Sequence, residues 1–220
     1  MIGATGLVGS QLLRQLLDDL RFQQVIVLGR RATGVTSPKL VEHLVDFDAP
    51  PTWAPLVKGD VAFSALGTTI SQAGSKPAQK KVDYDYQLEF AKAAATNGVP
   101  TYVLVSSASA NPRSRTFYSR IKGELDEQVQ QLGFARVRIM RPSLLGGERK
   151  NPRLGEKIGS ALLAFVNALG LARRWREIGG DVVAQAMINA AFDPATGSRI
   201  FTLDQVFAAA ASSLETVRGR

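Results

Sequence analysis

With 220 residues, 45% of them apolar and 21% charged, the chain is long enough to bury a full core and falls within the size range of one domain. The lack of cysteine and the single histidine, His43, exclude disulfides, thiol catalysis and a cysteine or histidine metal cluster, so no metal site is expected. The formal charge of +8 suits a phosphorylated ligand, yet no nucleic-acid reader motif accompanies it; with no apolar run of roughly 18–20 residues and no signal peptide, a cytoplasmic protein without nucleic-acid or membrane partners is expected.

The first element is a glycine segment, Gly3-Ala-Thr-Gly6-Leu-Val-Gly9, which opens directly into an amphipathic helix: Leu12, Leu13, Leu16, Leu17 and Leu20 recur at helical spacing across Leu7 to Leu20. A short β-branched run, Val25 to Leu28, follows and is ended by Gly29, and similar runs lie at Leu40 to Val45, Val61 to Ser64, Tyr102 to Val105 and Val137 to Met140. Between them the spacing predicts helices over Val82 to Thr96, closed by Asn97-Gly98, and over Arg120 to Leu132, closed by Gly133. Strands alternating with helices predict an α/β fold, a doubly wound parallel sheet of Rossmann-like type covered on both faces. Residues 155–220 give two or three helices and a possible strand at Arg199 to Leu203, expected to form a small helical cap on the substrate side of a single domain spanning 1–220. The glycine motif leaves only Met1-Ile2 of the strand that should precede it. The first strand is therefore expected to be truncated, through a shortened chain or a misplaced start codon.

The spacing G-x-x-G-x-x-G permits a tight turn and brings backbone N–H groups close to a pyrophosphate at a helix N-terminus, which makes Gly3, Thr5, Gly6, Leu7, Val8 and Gly9 the candidate phosphate-binding residues. Arg30 and Arg31 follow the next strand, where such domains select the substituent on the adenosine ribose. No acid stands there to accept from a 2′-hydroxyl, whereas a guanidinium pairs with a 2′-phosphate, so NADP(H) is expected over NAD(H). Asp46 and Phe47, after the third strand, are candidates for contact with the adenine.

Tyr118 and Lys122 lie four residues apart, one helical turn from each other on one face. A phenol titrating near ~10 is a poor acid or base at neutral pH, and a neighbouring ammonium favours its phenolate. Lys122 can also bond a nicotinamide ribose. Ser107, beside Ser106 at the expected end of a strand, can orient a substrate carbonyl, with Ser106 as the alternative. The chemistry this constellation suits is hydride transfer at a carbonyl carbon, with Tyr118 supplying the proton.

In that order, the glycine segment, Ala65-Leu66-Gly67-Thr68-Thr69, Val105-Ser106-Ser107, Tyr118 to Lys122 and Arg141-Pro142-Ser143 resemble the short-chain dehydrogenase/reductase superfamily in its extended or atypical branch. More narrowly, Leu66 to Thr69, Ala73-Gly74, Val82-Asp83, Phe117-Tyr118 and Lys122-Gly123-Glu124 look like the Tat-interacting oxidoreductase-like proteins and their bacterial relatives. The resemblance implies that Leu66, Gly67 and Thr68 line the cofactor and that the backbone at Pro142 and Ser143 meets the nicotinamide carboxamide. Only ten residues separate Ser107 from Tyr118, which is short for the superfamily. The function expected is an NADP(H)-dependent oxidoreductase acting on a small carbonyl or alcohol, as a monomer or homodimer. The alternatives are an NADP(H)-binding redox sensor that signals to a protein partner, and a sugar-nucleotide epimerase or dehydratase.

Overall fold

The computed structural model describes residues 1–143, 145–146 and 177–212. Strands β1 (Val25–Gly29) and β2 (Leu40–Leu44) run parallel, with Val25 opposite Leu40. Strands β3 (Val61–Ser64), β4 (Thr101–Val105) and β5 (Arg136–Arg141) follow in spatial order. A separate two-residue pair, β6 (Leu145–Gly146) and β7 (Ile178–Gly179), precedes β8 (Gly197–Thr202), which closes the far edge beside β5. All pairings within this sheet are parallel.

Met1-Ile2 joins the two halves of the sheet. Ile2 bridges Leu28 of β1 on one side and Ser64 of β3 on the other. The Leu28 N–H donates to the Met1 carbonyl at 2.9 Å, the Ile2 N–H to the Phe63 carbonyl at 3.0 Å, and the Ala65 N–H to the Ile2 carbonyl at 3.2 Å. The Met1 ammonium, donating to the Ile26 carbonyl, is buried, and desolvation lowers its pKa to about 5.

Residue alternation along the strands sorts the core into two layers. Val103 and Val105 face α1 (Leu7–Asp18), whose stripe Val8, Leu12, Leu13 and Leu16 is buried there. On the opposite face, Tyr102 and Leu104 pack with Phe90, Ala94, Leu125 and Val129. The helices on that side begin with α2 (Pro50–Trp53), α3 (Ile70–Ala73) and α4 (Lys76–Lys80). A π turn over Lys81–Asp85 then leads into α5 (Tyr86–Thr96), and α6 (Phe117–Gln130) follows β4. The first face is completed by α7 (Gly180–Ala191), packed on α1 and on α8 (Asp204–Ala211). Every residue of β4 is buried, as its continuous Thr-Tyr-Val-Leu-Val run requires of a strand covered on both sides.

Several boundaries differ from expectation: α1 ends at Asp18, which leaves Leu20 exposed, and the helix expected from Arg120 begins at Phe117. The helix predicted from Val82 starts at Lys76, capped by the Ser75 hydroxyl, which accepts from the Ala78 N–H at 3.3 Å, with proline in its first turn. Of the predicted cap over 155–220, residues 155–176 and 213–220 lie outside the described residues; within its remainder, the strand expected at Arg199 to Leu203 is β8.

The turn from α7 to β8 is held by a buried guanidinium. Arg138, inside β5, donates to the carbonyls of Gly197 at 2.8 Å and Asp193 at 3.2 Å and to that of Ala195. Against the cost of burial, the Ala195 N–H and the Arg138 and Arg199 guanidiniums hold the Asp193 carboxyl below its ordinary pKa. A depressed acid stabilises the fold fully above its unfolded value and loses that contribution as the pH falls through its folded value. Asp193→Asn is therefore expected to cost about 1–3 kcal/mol at neutral pH and less as the pH is lowered below the ordinary carboxylate range, read from urea unfolding across that range; a loss that did not change with pH would remove the charge from the explanation.

Candidate functional site

The site lies along the carboxyl ends of the strands, where open parallel sheets place ligands. Gly3 leaves Ile2 with φ +82°, and a Cβ on it would come within 2.4 Å of the Ala65 carbonyl carbon. A Cβ on Gly9 would fall 2.0 Å from the Gly3 carbonyl oxygen, so α1 reaches the loop only because Gly9 has no side chain. Gly6 differs: it is exposed, and a Cβ there would meet nothing closer than the Gly3 oxygen at 3.3 Å. It is the N-cap of α1, with no side-chain cap and no acid in the first turn. The positive end of α1, uncapped and beside exposed Gly6 and Thr5, meets the requirement for holding a pyrophosphate, while Val8 packs into the core.

Arg31 lies over this loop, donating from Nε and Nη2 to the Thr5 hydroxyl at 3.3 and 3.2 Å. Arg30 is exposed and close enough to Asp48 to help lower its pKa, after the larger effect of the Lys81 hydrogen bond. Asp48 was missed from the sequence; it accepts from Lys81 at 2.7 Å and from the Tyr86 hydroxyl at 2.9 Å. Asp46 is exposed, its carboxylate accepting from the Asp48 N–H at 2.9 Å. The ring of Phe47 lies in the core, 5.6 Å from the Trp53 ring and 5.4 Å from the Tyr86 ring. That places it away from the surface at which an adenine could stack, because the apolar pocket formed by Trp53 and Tyr86 already holds it.

Leu66, Gly67 and Thr68 follow β3 at the same edge. The Thr68 N–H faces both carboxylate oxygens of buried Asp83, at 3.3 and 3.4 Å, and its carbonyl accepts from Gln79 at 3.4 Å. Asp83 sits in the π turn, a local widening of the helix that often marks function. Behind it, Gln87 donates to the Asp83 carbonyl at 2.9 Å and accepts from the Ser64 hydroxyl at 2.8 Å. Asp83 belonged to a quoted motif but carried no assigned role, and nothing in the sequence pointed to Gln79.

At the end of β4, the Ser106 N–H donates to the Met140 carbonyl at 2.7 Å. Ser106 itself is buried, whereas the half-buried Ser107 hydroxyl lies 3.1 Å from that of Ser109 and accepts from the Ser109 N–H at 3.3 Å. Tyr118 is half-buried in the first turn of α6. Lys122 is 2% exposed, with Nζ donating to the Val105 carbonyl at 3.2 Å. The short stretch after Ser107 folds back on α6 through the Asn111 N–H, which donates to the Ser119 carbonyl at 2.9 Å. Pro142 is buried and Ser143 half-buried, and the Pro142 carbonyl accepts from the Ala108 N–H at 3.0 Å. The ends of β4 and β5 and the start of α6 therefore gather Ser106, Ser107, Tyr118, Lys122, Pro142 and Ser143 on one stretch of the sheet edge.

These features define an α/β protein built to bind a nicotinamide dinucleotide, and a family model described as NAD(P)H-binding matches residues 3–144, more than half of the chain. The chain belongs to that NAD(P)H-binding family. Its relatives include the mitochondrial protein FMP52-1 of Scheffersomyces stipitis, 36% identical over 197 residues, covering 87% of this chain and 86% of the relative. The mitochondrial protein fmp52 of Aspergillus fumigatus is 36% identical over 203 residues, with coverage of 86% and 85%. Among solved structures, MoeE5 in complex with UDP-glucuronic acid and NAD superposes with a TM-score of 0.71 at 18% identity, over 92% of this chain and 74% of that one. The dTDP-glucose 4,6-dehydratase DesIV from Streptomyces venezuelae matches with the same TM-score at 17% identity, over 92% and 74%. At such identities these structures share the fold. The expectation of a cytoplasmic protein is overturned by the relatives, which are named as mitochondrial proteins. No helix among the described residues is long and apolar enough to cross a membrane.

Proposed function

We propose that the protein is an NADP(H)-dependent oxidoreductase of the atypical short-chain dehydrogenase type that interconverts a small carbonyl compound and its alcohol. The observation that carries this reading is the burial of Lys122 one helical turn from Tyr118, its ammonium fixed on the Val105 carbonyl where β4 ends. Burying an ammonium has a desolvation cost that a purely structural helix face would avoid, and here the charge lies one helical turn from the Tyr118 phenol. The resemblance to Tat-interacting oxidoreductase-like proteins points the same way.

Bound NADP(H) would supply the hydride. Gly3, Gly6 and Gly9 would hold the pyrophosphate through main-chain N–H groups, and Arg31, already turned over Thr5, would meet the 2′-phosphate with Arg30 beside it. Lys122 has one N–H committed to Val105 and two left for a ribose hydroxyl and the phenol side of the site. Tyr118 would hold the proton at the substrate oxygen, and Ser107 would orient that oxygen with its half-exposed hydroxyl. The reading is tested by incubating the chain with NADPH and a panel of aldehydes and ketones and following nicotinamide absorbance. Turnover that vanishes in Lys122→Ala supports it; equal consumption in wild type and Lys122→Ala refutes it.

Cofactor choice makes a separate prediction. Arg31→Ala is expected to weaken NADPH about 10- to 100-fold, the loss of a charge-assisted pair, and NADH less than about twofold. Equal weakening of both cofactors in a fluorescence titration would remove Arg31 from the 2′-phosphate.

A further inference from the structure

The face of α6 that carries Tyr118 and Lys122 continues inward to a third polar residue. Asp126 stands one turn beyond Lys122, and its side chain is wholly buried. Its Oδ2 accepts from Arg141 Nε at 2.8 Å, at the last residue of β5. Oδ1 has no hydrogen-bond partner, nor does the buried Ser106 hydroxyl at the end of β4. The two groups are nevertheless neighbours: burial raises the Asp126 pKa, and the Ser106 hydroxyl leads the effects that oppose this, followed by Arg141 and Lys122.

Stability alone does not explain such an arrangement, since well-packed apolar residues commonly replace a buried ion pair at no loss. The carboxylate stands on α6, which carries Tyr118 and Lys122, and is hydrogen-bonded to the end of β5 just before Pro142 and Ser143, with the Ser106 hydroxyl at the end of β4 near enough to influence it. We propose that Asp126, through Arg141 and against Ser106, is the positioning residue that fixes the reacting end of α6 relative to the ends of β4 and β5. The nicotinamide half of the site depends on it; the adenosine half, built from the glycine loop and Arg31, does not. This inference rests on the NADP(H) reading.

The test uses the full chain and two ligands, NADPH and 2′-phospho-ADP, which lacks both the nicotinamide and its ribose. Asp126→Asn keeps the shape and removes the charge. It is expected to weaken NADPH about tenfold or more and 2′-phospho-ADP less than about twofold, with partial recovery in Asp126→Glu. Should Asp126→Asn fail to fold, Ser106→Ala makes the same selective change in smaller degree, about threefold on NADPH alone. Equal weakening of both ligands, or no change in either, overturns the positioning role. Failure of the wild-type chain to bind either ligand overturns the cofactor reading and this inference with it, so the two failures are told apart by the unmutated protein.

Discussion

Tyr118→Phe is expected to lower turnover about 10³-fold or more while leaving NADPH affinity within about twofold of wild type. The substitution removes one oxygen from a half-buried ring and leaves its packing in the first turn of α6 intact. It takes nothing from Lys122, whose ammonium remains anchored on the Val105 carbonyl. Only the proton at the substrate oxygen is lost, and an interaction made in the transition state alone appears in kcat and not in binding. Single-turnover kinetics beside a binding titration separate the two quantities. A Tyr118→Phe chain that turned over at the wild-type rate would place the proton donor elsewhere, and one that no longer bound NADPH would make Tyr118 part of the cofactor's support.

Gly9→Ala is expected to abolish cofactor binding, by more than about 100-fold, and to destabilise the fold by about 1–3 kcal/mol. The added methyl would sit 2.0 Å from the Gly3 carbonyl oxygen, which is backbone and cannot swing aside as a flexible side chain could. Either α1 moves away or the loop does, and each movement pulls the first amides of the helix out of line with a pyrophosphate. Gly6→Ala is the informative control: its Cβ asks the Gly3 carbonyl to give by only a few tenths of an ångström, so the fold should lose far less than in Gly9→Ala while a bound phosphate would be displaced. Thermal unfolding and NADPH titration of both variants decide the matter. If Gly9→Ala bound NADPH like the wild type, the close approach would have no functional meaning.

The strands were readable because burial on both faces leaves a continuous apolar run, as in Thr101–Val105, and the boundaries of β1, β3 and β5 fall within a residue or two of the expected ones. The glycine loop was readable because its chemistry is local: a positive φ at Gly3 and the contact of Gly9 with Gly3 are both fixed within one turn of chain. What escaped was set by tertiary partners. The π turn at Lys81–Asp85 leaves no signature in apolar spacing, and the buried polar residues Gln79, Asp83 and Asp126 look like solvated helix positions until Thr68, Arg141 and Ser106 are seen beside them. Phe47 shows the converse. Its place after a strand suggested contact with the adenine, whereas Trp53 and Tyr86 claim its ring for the core. The two residues ahead of Gly3 suggested a truncated first strand, yet Ile2 bonds to strands on both sides through backbone groups that any residue supplies.

The most direct measurement is a titration of the unmodified chain with NADPH and, separately, with NADH, followed by nicotinamide fluorescence and by thermal shift. Saturable binding of NADPH, tighter than that of NADH and accompanied by a rise in unfolding temperature, is the expected outcome. If neither nucleotide changed the fluorescence or the unfolding temperature, the cradle formed by Gly3, Gly6 and Gly9 would not be a cofactor site in this protein.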